Sequence, residues 1–470
     1  MSLRVIKNLF IVSLVQLLFI SVIIAEISDE NRIIAFPGAE GFGAYSKGGR
    51  GGQILFVTNL NDYNPEFEEP IEGSLRWACD TYGPRTVIFK VSGLIELKTW
   101  LTIINPYITI AGQSSPGDGI CLKNYGLSIR THDVILRYLR CRPGDEMGVN
   151  IEGGFETDAI SISEFSQNVI IDHCSASWSI DETLSIHSRQ PKNPPLSVTV
   201  QWCIISESLN DSYHPKGPHG YGSLIRFTGN ASFHHNLYAH HSSRNPHVDT
   251  YLGNMTLDFR NNVIYNYGQP GNTMFHPINM NYIGNYLKPG PNTTYSGTAF
   301  YLHAESSTGV SLFQYITSFG NNVRKIYPEG NILIGKDYES QWDMFYKVYD
   351  RNKMSEPFEV EIVYTHPADE AYNLVLENAG AILPKRDDID LRIVNDVKNG
   401  TGKIIDTQSQ VGGWPNYKSA IAPIDDDNDG LPDVWEIKHG LDSANNLDNN
   451  LDNDKDGYTN IEEWLNGTIP

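Results

Sequence analysis

Two acidic segments near the C-terminus have the spacing of a calcium-binding loop. In both, carboxylates occupy loop positions 1, 3, 5 and 12: Asp425, Asp427, Asp429 and Glu436, and then Asp452, Asp454, Asp456 and Glu463. Gly430 and Gly457 at position 6 allow the sharp turn that lets six to eight oxygens surround Ca²⁺. The sequence therefore predicts two calcium sites of EF-hand type in a module spanning 424–470. We expect each loop to be followed by a helix, and because Pro423 precedes the first loop, we expect the entering helix of a true EF-hand to be missing there.

A second group of candidate residues combines four carboxylates with two cations. They lie between residues 156 and 250: Glu156, Asp158, Asp181, Glu182, Lys216 and Arg244. Carboxylates from neighbouring segments could hold a hard cation such as Ca²⁺. That cation, together with the two basic side chains, would attract an acidic sugar polymer. This chemistry requires a fold that stacks distant segments side by side.

The recurring segments from Arg85 onward predict such a fold. Five successive β-rich runs begin at Val169, Val198, Ala231, Leu257 and Met280, and their sixth residues are Cys174, Cys203, Asn236, Asn262 and Asn285. The intervals of 23 to 33 residues are typical of coils in a parallel β-helix, with one asparagine above the next. An asparagine-rich sandwich is the alternative. We predict an all-β catalytic domain over 26–423. The register is lost after residue 300, and DEAYNLVLENAGAI favours a helix there.

Composition and charge exclude several classes of protein. The chain has 470 residues and a net charge of −21, and about half of that charge lies in residues 425–470. Nucleic-acid binding is therefore not expected, because phosphate recognition needs a basic face. Two basic residues, an apolar run and Ala25 form a predicted signal peptide over 1–25, which indicates a secreted protein with no stable membrane insertion after cleavage. An uncleaved membrane anchor is the alternative.

Cysteines and glycosylation sequons add little to the functional argument. The five cysteines leave at least one thiol unpaired within the chain, and a Cys174–Cys203 disulfide and two reduced thiols both remain open. Six N-x-S/T sequons would matter only in a host that glycosylates: Asn210, Asn230, Asn254, Asn292, Asn399 and Asn466.

Several motifs together resemble polysaccharide lyase family 1. These are AFPGAEGFGAYSKGGRGG, ITIAGQSSPGDGI, VIIDHCSASWSIDETLSI, HPKGPHGYGSL, FHHNLYAHHSSRNPH and FRNNVIYNYG. The chain is similar over residues 33–415 to the pectate lyases of that family, particularly the branch with pectate trisaccharide-lyases. The resemblance implies a right-handed parallel β-helix that cleaves polygalacturonate (pectate) by calcium-dependent β-elimination. The C-terminal module resembles dockerin-type calcium repeats. This resemblance implies a cohesin-like or cell-surface partner. However, Val434–Trp435 and Ile461–Glu462 stand where dockerins have the Ser/Thr-like residues that cohesins recognise.

The resemblance also implies roles for single residues. Arg244 matches the catalytic arginine of an R-x-P motif, and Lys216 matches a lysine that contacts a substrate carboxylate. Asp158 and Glu182 match calcium ligands, with Glu156 and Asp181 beside them. Two positions depart from the family pattern: many members have a further carboxylate near Ser185 and a second arginine where this chain has Asp249. His240 and His241 are alternative proton acceptors. Histidines in such a context more often occupy core positions.

Two other functions remain open on sequence grounds. A glycoside hydrolase acting on pectin needs a pair of carboxyl groups, and the consecutive Asp181 and Glu182 would point to opposite faces of a strand. A noncatalytic adhesin or carbohydrate-binding β-helix would need no cluster of cations and carboxylates. Elimination creates an ultraviolet-absorbing unsaturated product, and neither alternative does.

Overall fold

The computed structural model describes residues 32–163, 165–188, 196–250, 255–273, 276–294, 296–302 and 324–469. The predicted signal peptide and the sequon at Asn254 lie outside these ranges. None of the described helices is long and apolar enough to cross a membrane.

The described residues form 28 short strands. In chain order they are β1 (Gln53–Val57), β2 (Arg85–Phe89), β3 (Gly93–Glu96), β4 (Leu101–Ile103), β5 (Ile108–Ala111), β6 (Ile120–Lys123), β7 (Leu127–Ile129), β8 (Val134–Arg137), β9 (Arg140–Cys141), β10 (Ile160–Ile162), β11 (Val169–Asp172), β12 (Ser175–Ser177), β13 (Leu184–His187), β14 (Leu196–Gln201), β15 (Ile204–Ser206), β16 (Leu224–Arg226), β17 (Gly229–His234), β18 (Leu237–Ala239), β19 (His247–Asp249), β20 (Met255–Arg260), β21 (Val263–Tyr265), β22 (Gly271–Thr273), β23 (Asn279–Ile283), β24 (Tyr286–Lys288), β25 (Phe300–Leu302), β26 (Lys325–Glu329), β27 (Ile332–Leu333) and β28 (Phe345–Tyr346).

Helices are few and short in the described residues. The α-helices are α1 (Leu75–Asp80), α2 (Ala368–Asn378), α3 (Asp388–Asn399), α4 (Asp433–His439) and α5 (Asn460–Asn466). Single turns of 3₁₀ helix occur at Gly112–Ser114, Glu146–Asn150, Gln341–Met344, Asp350–Asn352 and Gln408–Val411.

The strands form three parallel sheets. Sheet 1 has the order β1-β2-β5-β8-β11-β14-β17-β20-β23-β26, sheet 2 runs from β3 to β27, and sheet 3 has the order β4-β7-β10-β13-β16-β19-β22-β25-β28. After β1, which belongs to sheet 1 alone, each coil contributes one strand to each sheet, and this architecture is a parallel β-helix as predicted. Its interior is a continuous apolar core of Val, Ile, Leu and Phe side chains from all three sheets.

The predicted register is confirmed. Val169, Val198, Ala231, Leu257 and Met280 are aligned partners in sheet 1. The amide of Asn236 donates to Asn262, that of Asn262 to Asn285, and that of Asn285 to Asn331, at 2.9, 3.2 and 3.0 Å. Such a ladder satisfies buried amides that would otherwise cost stability. Cys174 and Cys203 are free, like the other three cysteines.

One feature of residues 300–420 differs from the expectation, and one agrees with it. The register continues after residue 300, because β25 and β28 extend sheet 3 and Asn331 extends the ladder. The interval from Asn285 to Asn331 is 46 residues, longer than the intervals between the earlier coils, so regular spacing does not predict this coil. The predicted helix is present as α2, which packs with α3 on the outer face of sheet 2.

Candidate active site and calcium loops

One cavity on the outer face of sheet 3 brings together all six candidate residues. It has a volume of about 330 Å³. Its lining consists of Glu156, Asp158, Asp181, Glu182, Lys216 and Arg244, together with Ser161, Ser185, His187, His219, Leu224 and Arg226. The charged residues that the sequence spreads over four segments therefore face one volume.

The start of each strand in sheet 3 explains this convergence. Asp158 lies two residues before β10, Glu182 two before β13, and Arg244 three before β19. Parallel strands begin at the same edge of a sheet, so residues just before paired strands are neighbours. Asp181 and Glu182 do not face opposite ways, contrary to the expectation for consecutive strand residues. They lie in the turn before β13, and both line the cavity.

Asp158 is the electrostatic centre of the cavity. Its carboxylate accepts hydrogen bonds from the hydroxyl of Ser185 and from the backbone N–H of Glu182. Burial, reinforced by the charge of Asp181, raises the pKa of Asp158 to about 8. Carboxylate oxygens of Asp158, Asp181 and Glu182 lie within 4.8 Å of one another. Three carboxylates this close repel each other, which a bound cation would relieve.

Arg244 belongs to a later coil than the carboxylates and faces them across the cavity. Its guanidinium forms an ion pair with Glu182 and lies 4.1 Å from the ring centre of Tyr221. Burial lowers the pKa of Arg244 below its usual value, although Asp181 and Asp158 oppose this. The Arg244 backbone has a left-handed φ of 58°, a conformation that recurs at other non-glycine residues in the turns of the β-helix, such as Trp178, Glu207 and His240.

The two departures from the family pattern have structural counterparts. Ser185 orients Asp158 instead of supplying another carboxylate. Asp249 forms an ion pair with Arg226 at 3.1 Å and contacts His276 at 2.6 Å. Arg226 is the register partner of Asp249 one coil earlier and lines the cavity. Sequence reasoning missed Arg226 because it ends an ordinary β-rich run, with no motif around it.

Two histidines near Lys216 were also missed. The rings of His214 and His219 stack with centres 3.3 Å apart. His214 Nε2 lies 3.2 Å from Glu156 Oε2, and His219 Nε2 lies 3.8 Å from Asp181 Oδ1. Their positions in HPKGPHG, on either side of the lysine, were the available signal. They connect the Lys216 segment to the carboxylates.

His240 and His241 are fully buried and are not among the residues that line the cavity. His241 contacts Ser208 Oγ at 2.7 Å and Ile205 O at 2.9 Å. Burial lowers the pKa of His241 to about 4. Both histidines occupy core positions.

Comparison with known proteins identifies the family. No protein-family model matches the chain. A curated relative from Aspergillus flavus, described as a probable pectate lyase C, is 34% identical over 452 residues, covering 93% of this chain and 94% of the relative. Its counterpart from Emericella nidulans is 35% identical over 442 residues, covering 93% of each chain. The chain belongs to the pectate lyase family.

Solved structures similar to this pectate lyase family member include two β-helical proteins. A pectate lyase from Bacillus sp. N165, solved with trigalacturonate, has a TM-score of 0.47 and 15% identity, over 73% of this chain and 98% of the other. The cedar pollen allergen jun a 1 has a TM-score of 0.48 and 20% identity, over 75% and 95%. The names of these relatives give no support to the predicted cohesin-like or cell-surface partner.

The first C-terminal loop has the donors that calcium requires. Oxygens of Asp425, Asp427 and Asp429 lie within 4.8 Å of one another, and Asp429 and Glu436 are equally close to Asp448. Burial raises the pKa of Glu436 to about 8, and both of its carboxylate oxygens are buried without a hydrogen-bond donor. Unpartnered buried carboxylates fit a cation. The sequence motif did not include Asp448, because this residue follows the twelve-residue loop.

The second loop is more open. Asp452, Asp454 and Asp456 are exposed, with oxygens within 4.8 Å of one another. Glu463, from α5, keeps one buried oxygen without a donor. Asn449 and Asn460 connect the two loops through bonds to the carbonyls of Asp429 and Asp448, both at 2.7 Å. Each loop is followed by a helix, as expected.

The 424–470 segment packs against the outer face of sheet 1. Leu431 and Ile461 are buried against Ile88 and Ala111, with Phe56 partly buried beside them. Polar contacts surround this cluster: Arg50 with Glu462 at 2.8 Å, Lys90 with Asp425 at 3.2 Å, and Arg137 with Asn466 at 2.7 Å. The two acidic loops therefore sit on the β-helix.

Proposed function

We propose that the protein is a secreted pectate lyase that cleaves polygalacturonate by calcium-assisted β-elimination. The observation that carries this proposal is the single cavity in which Arg244 and Lys216 face four carboxylates. Among possible substrates, an acidic sugar chain matches this combination of fixed cations with a cation-binding cluster.

The residues present fit a calcium ion. Asp158, Asp181 and Glu182 would hold it, with Glu156 at the cavity edge, because hard cations prefer several carboxylate oxygens. When bound there, Ca²⁺ would neutralise the uronate carboxylate and act as a Lewis acid toward the charge that develops on it. Ser185 contributes by fixing the orientation of Asp158.

The two basic side chains have different roles in this mechanism: one binds a substrate carboxylate and the other accepts the proton. Lys216, exposed at the cavity, would bind a uronate carboxylate. Arg244 would take the proton from C5 of the galacturonate. The electron pair of the broken C5–H bond would then form the C4–C5 double bond. The C4–O bond would break, and the leaving oxygen would be protonated. Burial of Arg244, which lowers its pKa, assists a base whose usual pKa exceeds ~12.

Arg226 is the residue we assign as the second substrate-binding cation. It reaches the same cavity from the coil before Asp249, whose carboxylate holds its guanidinium. We expect Arg226→Ala to raise KM for polygalacturonate by about 10-fold, since a charge-assisted contact contributes ~1.5–3 kcal/mol. The value of kcat should change less, because Arg244 is untouched.

Steady-state kinetics of Arg226→Ala and Asp249→Asn test this assignment. Asp249→Asn should give a smaller rise in KM, since Arg226 keeps its charge and loses only its anchor. Arg130→Ala, at an exposed position outside the cavity lining, is the control. An unchanged KM for Arg226→Ala would refute the role.

Product analysis tests the proposed reaction. Polygalacturonate treated with the protein should gain ultraviolet absorbance in proportion to new reducing ends. Reducing ends without absorbance would indicate the hydrolase alternative, and neither signal would indicate a binding protein. The names of the curated relatives favour the lyase.

Secretion is proposed from the predicted leader over 1–25. N-terminal sequencing of protein recovered from the culture medium should begin near Glu26. Recovery of the intact leader in the membrane fraction would support the anchor alternative.

A further inference from the structure

Two stacked tyrosines lie on sheet 3 beyond the catalytic cavity. Tyr301 in β25 and Tyr346 in β28 have ring centres 4.8 Å apart, at an interplanar angle of 27°. The Lys347 ammonium is 5.5 Å from the centre of each ring. Tyr346 is 49% exposed, although it is a large aromatic residue on a strand. We call Tyr301, Tyr346 and Lys347 the tyrosine ridge.

The tyrosine ridge is connected to the cavity by a line of register partners that runs across the strands of sheet 3. Leu224, which lines the cavity, has His247 as its partner in the next coil. His247 then pairs with Asn272, Asn272 with Tyr301, and Tyr301 with Tyr346. At ~4.8 Å per strand, four such steps place Tyr346 ~19 Å from the Leu224 position. The intervening His247 and Asn272 are buried and contact each other, so a ligand would pass over them.

The chemistry of the ridge fits an acidic sugar chain. Tyrosine offers an apolar ring to the C–H groups of a pyranose and a hydroxyl for hydrogen bonding. Lys347 supplies a cation for a carboxylate, and Arg351 lies 5.2 Å from the ring centre of the exposed Tyr349 nearby. The tyrosine ridge therefore places a cation beside exposed aromatic rings in a chain whose net charge is −21.

We propose that the tyrosine ridge is a remote binding site for the polygalacturonate chain whose reacting bond lies in the cavity. The inference rests on the proposed function, since it names the same substrate. A contact made equally in the ground state and the transition state lowers KM without raising kcat. The ridge should therefore favour long chains over short ones.

Chain-length dependence provides the test. Tetragalacturonate cannot reach from the cavity to the ridge while it occupies the cavity on both sides of the cleaved bond. We compare kcat/KM on polygalacturonate with kcat/KM on tetragalacturonate for wild type, Tyr346→Ala and Lys347→Gln. The matched control is Tyr82→Ala, a 79% exposed tyrosine outside sheet 3. Circular dichroism and thermal unfolding check that each variant is folded.

The expected result is a fall of ~3- to 10-fold in the polymer-to-tetramer ratio for both ridge variants, the scale of one aromatic or cationic contact. The change should appear in KM for the polymer, and Tyr82→Ala should keep the wild-type ratio. An unchanged ratio in both ridge variants would overturn the proposal, as would an equal loss on the two substrates. Failure of the proposed function would look different, since the wild type would then form no unsaturated product from either substrate.

Discussion

Replacing Arg244 by lysine should lower kcat on polygalacturonate by at least ~10²-fold, the scale for losing a positioned proton acceptor. Lysine keeps the positive charge but not the planar fork that pairs with Glu182 and lies over Tyr221. KM should change much less, because Lys216, Arg226 and the carboxylate cluster remain. The wild-type rate should rise toward alkaline pH, since a guanidinium must lose its proton to act as a base.

Steady-state kinetics and pH profiles check this prediction. Arg130→Lys, at an exposed position outside the cavity lining, is the matched control and should behave like wild type. His241→Ala probes the alternative base, which the structure buries in the core. Loss of turnover in His241→Ala with retention in Arg244→Lys, and a profile that bends near ~6.5, would assign the proton to an imidazole.

Ile461→Ala should lower the free energy of unfolding by about 2–5 kcal/mol, the range for truncating a buried isoleucine. Ile461 is 2% exposed and packs with Leu431 against Ile88 and Ala111 of sheet 1. The C-terminal module should therefore stabilise the first coils of the β-helix. Urea denaturation at fixed free Ca²⁺ measures the effect.

Ile437→Ala is the matched control, because Ile437 belongs to the same module but is 67% exposed. Its effect should stay within about 0.5 kcal/mol. An equal loss of unfolding free energy in Ile461→Ala and Ile437→Ala would mean that the packing on sheet 1 contributes nothing.

Deletion of 424–470 should lower the thermal stability of the protein. The truncated protein should still turn over soluble substrate below its unfolding transition, since no residue of this segment lines the cavity.

The sequence could predict the β-helix because its coils repeat a physical constraint. A buried amide at one level needs a partner at the next, so Asn236, Asn262 and Asn285 recur at coil spacing. The strands of sheet 3 are mostly three residues long, too short to carry a periodic signal of their own. The final coil was missed because the insertion before Asn331 breaks the spacing.

The candidate site was predictable in residue type but not in geometry. Adjacent motifs supplied the carboxylates, Lys216 and Arg244, and the edge of sheet 3 brings them together. Arg226 and Asp448 could not be found in this way. Arg226 depends on a register between β16 and β19, and Asp448 reaches the first acidic loop from outside the motif.

The rate of unsaturated-product formation against buffered free Ca²⁺, in wild type and Asp158→Asn, tests the central claim most directly. We expect no turnover of the wild type in chelator and full recovery with Ca²⁺. Asp158→Asn should need at least ~10-fold more Ca²⁺ for half-maximal rate, while Asp337→Asn, an exposed carboxylate outside the cavity lining, should match wild type. Full turnover in chelator, or an unchanged calcium requirement in Asp158→Asn, would contradict calcium-assisted elimination at this cavity.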